Sequence, residues 1–368
     1  KNRERLFFDC LKLPKKIFKE STLLDFGCGT GEHDICYAMW GSKLTLIDIN
    51  PVSTAQVNKY FTKFKLKKSL KKLITNSIYK FKSKNKFDFV ISDGVLHHTQ
   101  DPKRAFNIMA KNLKPGGFCV LEVAFDTSHF QRSLHRFIID YLSDGSAKKV
   151  EKYASTLFFE TINRAHKFGG RSRKQIIYDF YTNPKHKGIN LFQILSWFKN
   201  HNIKYYSSYP SIEPEGFINN LNSETFSEFL KKNNLMTFFQ SVYFLMASSD
   251  YKNNLKDYKS DAIKLNSSWR NFLKYSKLND YEYNNNTNLN KTSKLFNYFM
   301  NDSLRLFKKR DKDVELKIKK FNKEFTDLIK VLKTKNLILI RKKIKKFSQL
   351  FKGYNGVPSN YIVGYKEK

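Results

Sequence analysis

Long apolar runs are missing from this chain, and their absence removes one class of function at once. No segment reaches the roughly 18 uninterrupted apolar residues of a membrane span. The nearest stretch, Leu235 to Ala247, carries Thr237, Gln240 and Ser241 and reads as a core strand or helix. No stable membrane insertion is therefore expected, and no signal-peptide pattern opens the chain. Cysteine is scarce as well. Cys10, Cys28, Cys36 and Cys119 form no C-x-x-C pair, which argues against a disulfide scaffold or a thiolate zinc site. They suit small buried thiols in a reducing, cytoplasmic setting. The eight histidines show no H-x-x-x-H spacing beside partner acids, so no metal is expected.

Acidic residues are the third shortage: 33 Asp and Glu stand against 68 Lys and Arg, a formal charge of +35. Most of the basic residues are Lys, alongside abundant Asn, Phe, Tyr and Ile, which is what an AT-rich genome produces without selection for binding. Such a bias acts evenly, yet residues 251–368 carry net +18 and residues 1–250 only +17. The last third reads either as a solvated lysine-rich surface or as a patch for an anionic partner such as RNA.

The sequence is richest in information at Leu23-Leu24-Asp25-Phe26-Gly27-Cys28-Gly29-Thr30-Gly31. Two aliphatics lead out of a buried strand, an acid follows, and three glycines alternate through a turn. Alternating glycines let the chain bend tightly and bring main-chain atoms close to a ligand. Glu32 through Trp40 is compatible with a helix, so the segment reads strand, glycine turn, helix, the nucleotide-binding corner of a doubly wound sheet. A nicotinamide site expects G-x-G-x-x-G, whereas the pattern here is D-x-G-x-G-x-G. A second strand, Lys43 to Ile49, carries Asp48 where it can accept hydrogen bonds from two ribose hydroxyls. A third element, Phe87 to His98, is a buried strand entering the polar loop Asp93-Gly94-Val95-Leu96-His97-His98. A helix from Pro102 to Leu113, the turn Lys114-Pro115-Gly116-Gly117 and a strand Phe118 to Ala124 complete the series.

In order and spacing these four motifs, over residues 20–125, resemble the class I S-adenosylmethionine-dependent methyltransferases, in the ubiquinone-type (methyltransferase type 11-12) branch. The resemblance implies a Rossmann-like doubly wound α/β fold: a seven-stranded sheet with its last strand antiparallel, plus helical insertions. It implies S-adenosyl-L-methionine as cofactor. Asp25 with Gly27, Cys28, Gly29 and Gly31 would hold the methionine end, Asp48 the ribose, and Ile49 the adenine face. Asn76 and Ser77 fall where the family contacts the adenine amine, and Asp93 and Gly94 lie in the loop after the fourth strand. It also implies a longer N-terminal lead than this chain shows, one that helps close the site.

Residues 1–125 are thus expected to form the cofactor-binding half, with a third strand at Leu73 to Thr75. Residues 126–189 look helical, with a break at Phe168-Gly169-Gly170, and would form a lid. Residues 190–210 supply a sixth helix (Leu191 to Asn200) and strand (Ile203 to Tyr209). Residues 211–352 are an irregular, basic insertion or appended region. In it the Asn-rich stretch Tyr283 to Asn290 reads as a linker and two amphipathic helices follow, one presenting Phe321, Phe325, Leu328 and Leu332, the other Ile340, Ile344, Phe347 and Phe351. Residues 353–368 would hold the last strand, at 360–366; the rival position is Val242 to Ala247.

Methyl transfer from a sulfonium asks the protein to position, desolvate and, where needed, deprotonate the acceptor. His97 and His98 follow the fourth strand and are candidate bases, since imidazole exchanges protons near neutrality; the same pair reads equally as structural. A second cluster, Asp179-Phe180-Tyr181-Thr182-Asn183-Pro184-Lys185-His186, offers Asp179 and His186, or else a capped turn. The expected acceptor is a small or carrier-linked metabolite, quinone-like, lipid or saccharide. The alternatives are an RNA acceptor and a non-catalytic domain that binds the cofactor or a partner.

Overall fold

The computed structural model describes residues 2–124, 130–144, 146–169, 171–182, 189, 191–209, 289–307, 312–348, 350–351 and 360–367, with short pieces between 264 and 272. The chain divides into two compact units. One comprises Lys1–Phe125, Lys187–Asn222 and Ser359–Lys368; the other comprises Asp126–His186 and Ser223–Pro358.

The first unit is a seven-stranded sheet. Strand β1 (Thr22–Phe26) and helix α1 (Glu32–Met39) open it, followed by β2 (Lys43–Asp48), α2 (Pro51–Lys63), β3 (Leu70–Thr75), β4 (Phe87–Asp93), α3 (Pro102–Asn112) and β5 (Leu113–Val123). Leu23, Leu24, Phe26, Val90 and Leu121 are wholly or almost wholly buried, as strands covered on both faces require. Asn50 and Asp101 cap α2 and α3 through their side chains, each with a proline at the first helical position.

Later in the chain come α8 (Leu191–Lys199), β6 (Ile203–Tyr209) and β7 (Asn360–Lys366); α4 to α7 and α9 to α11 belong to the second unit. The strand order is β3-β2-β1-β4-β5-β7-β6. Strands β1 to β5 run parallel, and β7 enters antiparallel between β5 and β6. The expected last strand at 360–366 therefore lies in its place, and the rival position at 242–247 lies outside the described residues. Gly364 admits the close approach: a Cβ there would lie 2.4 Å from Ile203 Cγ2 and 2.6 Å from Phe198 Cε2.

Three details differ from expectation. Strand β3 starts at Leu70 rather than Leu73. Strand β5 begins at Leu113 and takes in the Lys-Pro-Gly-Gly segment, looped out of register between Leu113 and Phe118, with Gly116 at φ +79. A helix starts at Leu289, inside the stretch read as a linker.

The described residues of the second unit are mainly helical: α4 (Phe130–Ser143), α5 (Ala147–Leu157), α6 (Phe159–Gly169), α7 (Arg173–Ile177), α9 (Leu289–Phe307), α10 (Lys312–Leu332) and α11 (Leu337–Lys346). Its core joins Leu134, Ile138 and Phe158 to Phe296, Phe299, Phe321, Phe325, Leu328, Leu332 and Ile340. The face of α10 read from the sequence (Phe321, Phe325, Leu328 and Leu332) is buried, and so are Ile340 and Ile344 of α11. Helix α11 ends at Lys346, so Phe347, buried, and Phe351, half-buried, lie past the helix on which the sequence placed them. At the end of α11, buried Glu324 accepts hydrogen bonds from Ser348 N (2.7 Å), Ser348 Oγ (2.9 Å) and Leu350 N (2.7 Å). Three donors on one carboxylate fasten that turn to α10.

Candidate active site

The glycine turn hangs from the end of β2: Gly27 N and Cys28 N donate to Ile47 O at 2.7 and 3.1 Å. Asp48 secures it further. Its Oδ2 accepts Gly29 N–H at 2.9 Å and its Oδ1 accepts Asn50 N–H at 2.8 Å. Each oxygen keeps a second lone-pair site for a hydroxyl donor. Gly29 sits at φ +55, and a Cβ built there would meet nothing within 4 Å. The turn thus leaves open space beside a carboxylate, which suits a ligand lying over the carboxyl ends of β1 and β2. Ile49, the next residue, is 72% exposed, an apolar surface without cover. Together these fit a nucleoside with its ribose on Asp48 and its base on Ile49.

The other end of the turn is acidic and buried. Asp25 and Asp34 are buried, 2% and 0% exposed, and their carboxyls stand close enough to share a hydrogen bond once one is protonated. Among the described residues no donor reaches Asp25 Oδ1 or either oxygen of Asp34. Burial first, then the charges of Asp34 and Asp93, pushes the Asp25 carboxyl well above the carboxylate range; burial raises Asp34 to about 7. Cys28, half-buried, has its thiol pushed up by burial and by the same acids, so it stays neutral.

Asp93, at the end of β4, is surrounded by donors. Arg3 pairs with its Oδ2, His33 Nδ1 stands 2.9 Å from the same oxygen, and Tyr361 OH donates to Oδ1 at 3.0 Å. Burial works against its charge, but the Arg3 guanidinium and His33 outweigh that and hold it well below the usual range. The N-terminal segment brings Arg3 there: Asn2–Glu4 runs into the wider turns of Arg5–Cys10. Phe7 anchors this segment against Phe18, Tyr37 and Trp40. Arg3 also donates to Tyr37 OH and, at 3.2 Å, to Tyr361 OH.

Most of the remaining candidates make hydrogen bonds within the local structure. Asn76 Oδ1 accepts Ser77 N–H at 2.8 Å, and Ser77 Oγ accepts Tyr79 N–H at 3.3 Å, capping a short turn. Gly94 N–H donates to Glu122 O at 3.2 Å. His97 is buried, and its Nδ1 accepts Ala124 N–H at 3.3 Å, latching the loop after β4 to the end of β5. His98 is half-buried, with its ring 4.2 Å from that of His97.

In the second unit Asp179 pairs with Arg171 at 2.9 Å, while Tyr181 is buried, its hydroxyl 3.2 Å from His135 Nδ1. His186 lies outside the described residues. Among the described residues no group of His, Cys, Asp and Glu could hold a metal ion, and no helix is long and apolar enough to cross a membrane. The structure thus gathers Asp25, Gly27, Cys28, Gly29, Gly31, Asp48 and Asp93 around the carboxyl ends of β1, β2 and β4.

Sequence reasoning missed Arg3, His33, Asp34, Tyr37 and Tyr361. None carries a signature of its own in the sequence; Asp34 merely precedes the apolar run Ile35-Cys36-Tyr37-Ala38.

A family model described as a methyltransferase domain matches residues 1–236, well over half of the chain. The chain belongs to the methyltransferase-domain family. This methyltransferase-domain protein is similar to PKMT2 from Rickettsia typhi, solved with AdoHcy: identity is 16% and the TM-score 0.46, over 65% of this chain and 50% of that one. It is also similar to the N-methyltransferase NodS from Bradyrhizobium japonicum WM9, at 25% identity and TM-score 0.30, over 35% of this chain and 72% of that one. Magnesium protoporphyrin IX methyltransferase from Synechocystis PCC 6803, solved with bound SAM, matches at 19% identity and TM-score 0.27, over 30% and 51%. The chain thus spans half the length of PKMT2. No curated protein matches it.

Proposed function

We propose that the protein is a class I S-adenosylmethionine-dependent methyltransferase of the ubiquinone-type branch, acting on a small or carrier-linked acceptor. The observation that carries this reading is the pairing of Gly29, open to solvent on its Cβ side, with the Asp48 carboxylate that its own N–H anchors. S-adenosylmethionine supplies a sulfonium-bound methyl group as electrophile. Asp48 would accept from the ribose hydroxyls, Ile49 would cover the adenine, and Asp25 would receive the ammonium of the methionine end. Cys28, Gly27 and Gly31 shape the turn; Asn76, Ser77 and Gly94 keep its neighbours in place. Arg3 closes the end of β4 by neutralising Asp93.

Of the two histidines, His97 holds backbone, which leaves His98 as the candidate to take a proton from the acceptor. Support for a quinone-like, lipid or saccharide acceptor is the helical insertion between β5 and α8, which contains Asp179 and the segment with His186. Titration calorimetry with S-adenosylhomocysteine tests the cofactor. Binding that disappears in Asp48→Ala is expected; a folded protein that gives no binding heat would remove the reading.

A further inference from the structure

Charge in the buried acidic corner does not balance. Three carboxyls crowd there: Asp25 on β1, Asp34 on α1 and Asp93 on β4. Among the described residues, the elements packed around them bring one full cation, Arg3 of the N-terminal segment, and it is engaged by Asp93. His33, also of α1, faces Asp93 too. The other titratable neighbours are acidic or neutral: Cys28 of the turn, Asp48 at the end of β2, Cys36 and Tyr37 of α1, and Tyr361 of β7, which reaches Asp93. Asp25 and Asp34 are therefore left facing one another, with Asp25 Oδ1 and both Asp34 oxygens lacking any donor among the described residues. Two adjacent buried carboxyls do not both stay ionised; a proton or another cation must stand between them and their charge.

We infer that Asp34 is a proton-exchanging positioning residue behind Asp25: the two carboxyls share protons until an ammonium group reaches Asp25, and its arrival drives one proton off to solvent. The inference rests on the S-adenosylmethionine reading and goes beyond it by assigning Asp34 a function and a stoichiometry. No bond other than O–H breaks. The ligand's positive charge takes the place of the proton, and a proton left on Asp34 donates to Asp25, fixing the oxygen that meets the ammonium. Cofactor capture is thereby linked to pH near neutrality, because the resting pair holds its proton there through burial and mutual repulsion.

Calorimetry with S-adenosylhomocysteine tests this on the full chain, run at pH 7 in two buffers of different ionisation enthalpy. The buffer dependence of the heat counts protons. The wild type is expected to release most of one proton, and its affinity to fall by up to about tenfold per pH unit below 7. Asp34→Asn presents an amide that donates to Asp25 as a neutral carboxylic acid does. It is expected to bind with little proton release and a nearly flat pH profile, which loss of packing alone would not produce. His33→Gln, acting on Asp93, is expected to leave the proton count in place. The two-buffer measurement on the wild type needs no variant, so a poorly folding Asp34→Asn would not shelter the idea. Wild-type binding with no proton exchange overturns the role of Asp34 and leaves the cofactor site standing. No binding heat at all overturns both.

Discussion

Asp34 and Glu324 are both acids buried in this protein, one in each unit, and their surroundings are opposite. Glu324 has three donors on its two oxygens and ties the end of α11 to α10. Asp34 has none and faces a second acid. A buried carboxylate with its lone pairs filled is a fastening, stabilised by charge-assisted hydrogen bonds. A buried carboxyl left unfilled costs stability, and it persists where something outside the chain completes it. Satisfaction, more than burial, separates scaffold from site here.

The largest expected effect breaks the comparison open along that line. Asp25→Ala should weaken S-adenosylhomocysteine binding by about a hundredfold or more, the loss that follows removal of one partner from a buried charge pair. The same change should leave the urea midpoint equal to or above that of the wild type, because it removes a carboxyl that repels its neighbour. A midpoint that falls steeply would show Asp25 to be a fastening like Glu324.

Glu324→Ala should do the reverse. Two backbone N–H groups and a hydroxyl lose their acceptor in a buried turn, a cost of about 3 kcal/mol in urea unfolding. Cofactor affinity should not move, since the Glu324 carboxylate is taken up by Ser348 and Leu350. A large loss of affinity with stability intact would contradict this.

How much of this was legible in sequence follows from how each feature is encoded. Strands β1, β2 and β4 announce themselves as apolar runs, and the acid-and-glycine spacing at 25–31 marks the turn because few other arrangements require it. Asp34 was not legible. Glu32 and Asp34 in the first turn of α1 read as acids complementing a helix dipole, and only the tertiary fold buries one of them against β1. Arg3 lies in a short lead with no periodic pattern; its role depends on the aromatic seat made by Phe7, Phe18 and Trp40. Helix α9 was missed because Asn and Lys at its start resemble a linker, although Phe296, Phe299 and Met300 keep the helical spacing.

The pH dependence of stability sharpens the comparison next. Asp34 has a folded value raised to about 7, above the ordinary 3.8. Between about pH 4 and 7 the folded state therefore binds more protons than the unfolded chain, so the stability contributed by this group falls as pH rises through that window. Asp34→Asn removes the titration. Its stability should exceed that of the wild type by a few kcal/mol at pH 8, and the gap should close near pH 4. Denaturant unfolding at both pH values measures it; a gap that widens toward low pH would reverse the assignment. Gly29→Ala comes below this in stability, with a cost of about 1 kcal/mol for an L-residue at φ +55. Its methyl group would point into the space assigned to the cofactor, so affinity should fall by several-fold more than stability predicts.

The smallest effect concerns His97, which the sequence offered as a base or a structural residue and whose ring accepts a backbone N–H. Its Nδ1 accepts Ala124 N–H at 3.3 Å, so the neutral ring carries its proton on Nε2. A proton accepted at Nδ1 would break the link between β4 and β5, and Nε2 in this tautomer has no lone pair to offer. His97→Asn, whose side-chain carbonyl can receive the same N–H, should cost under about 1 kcal/mol, and His97→Ala about 1 kcal/mol or slightly more. Neither should change cofactor affinity beyond about twofold, because the imidazole acts on backbone rather than on ligand. Nitrogen chemical shifts of the ring should report the Nε2–H form across neutral pH. A ring that titrates freely there, with His97→Asn and His97→Ala equally harmless to stability, would return His97 to the list of bases.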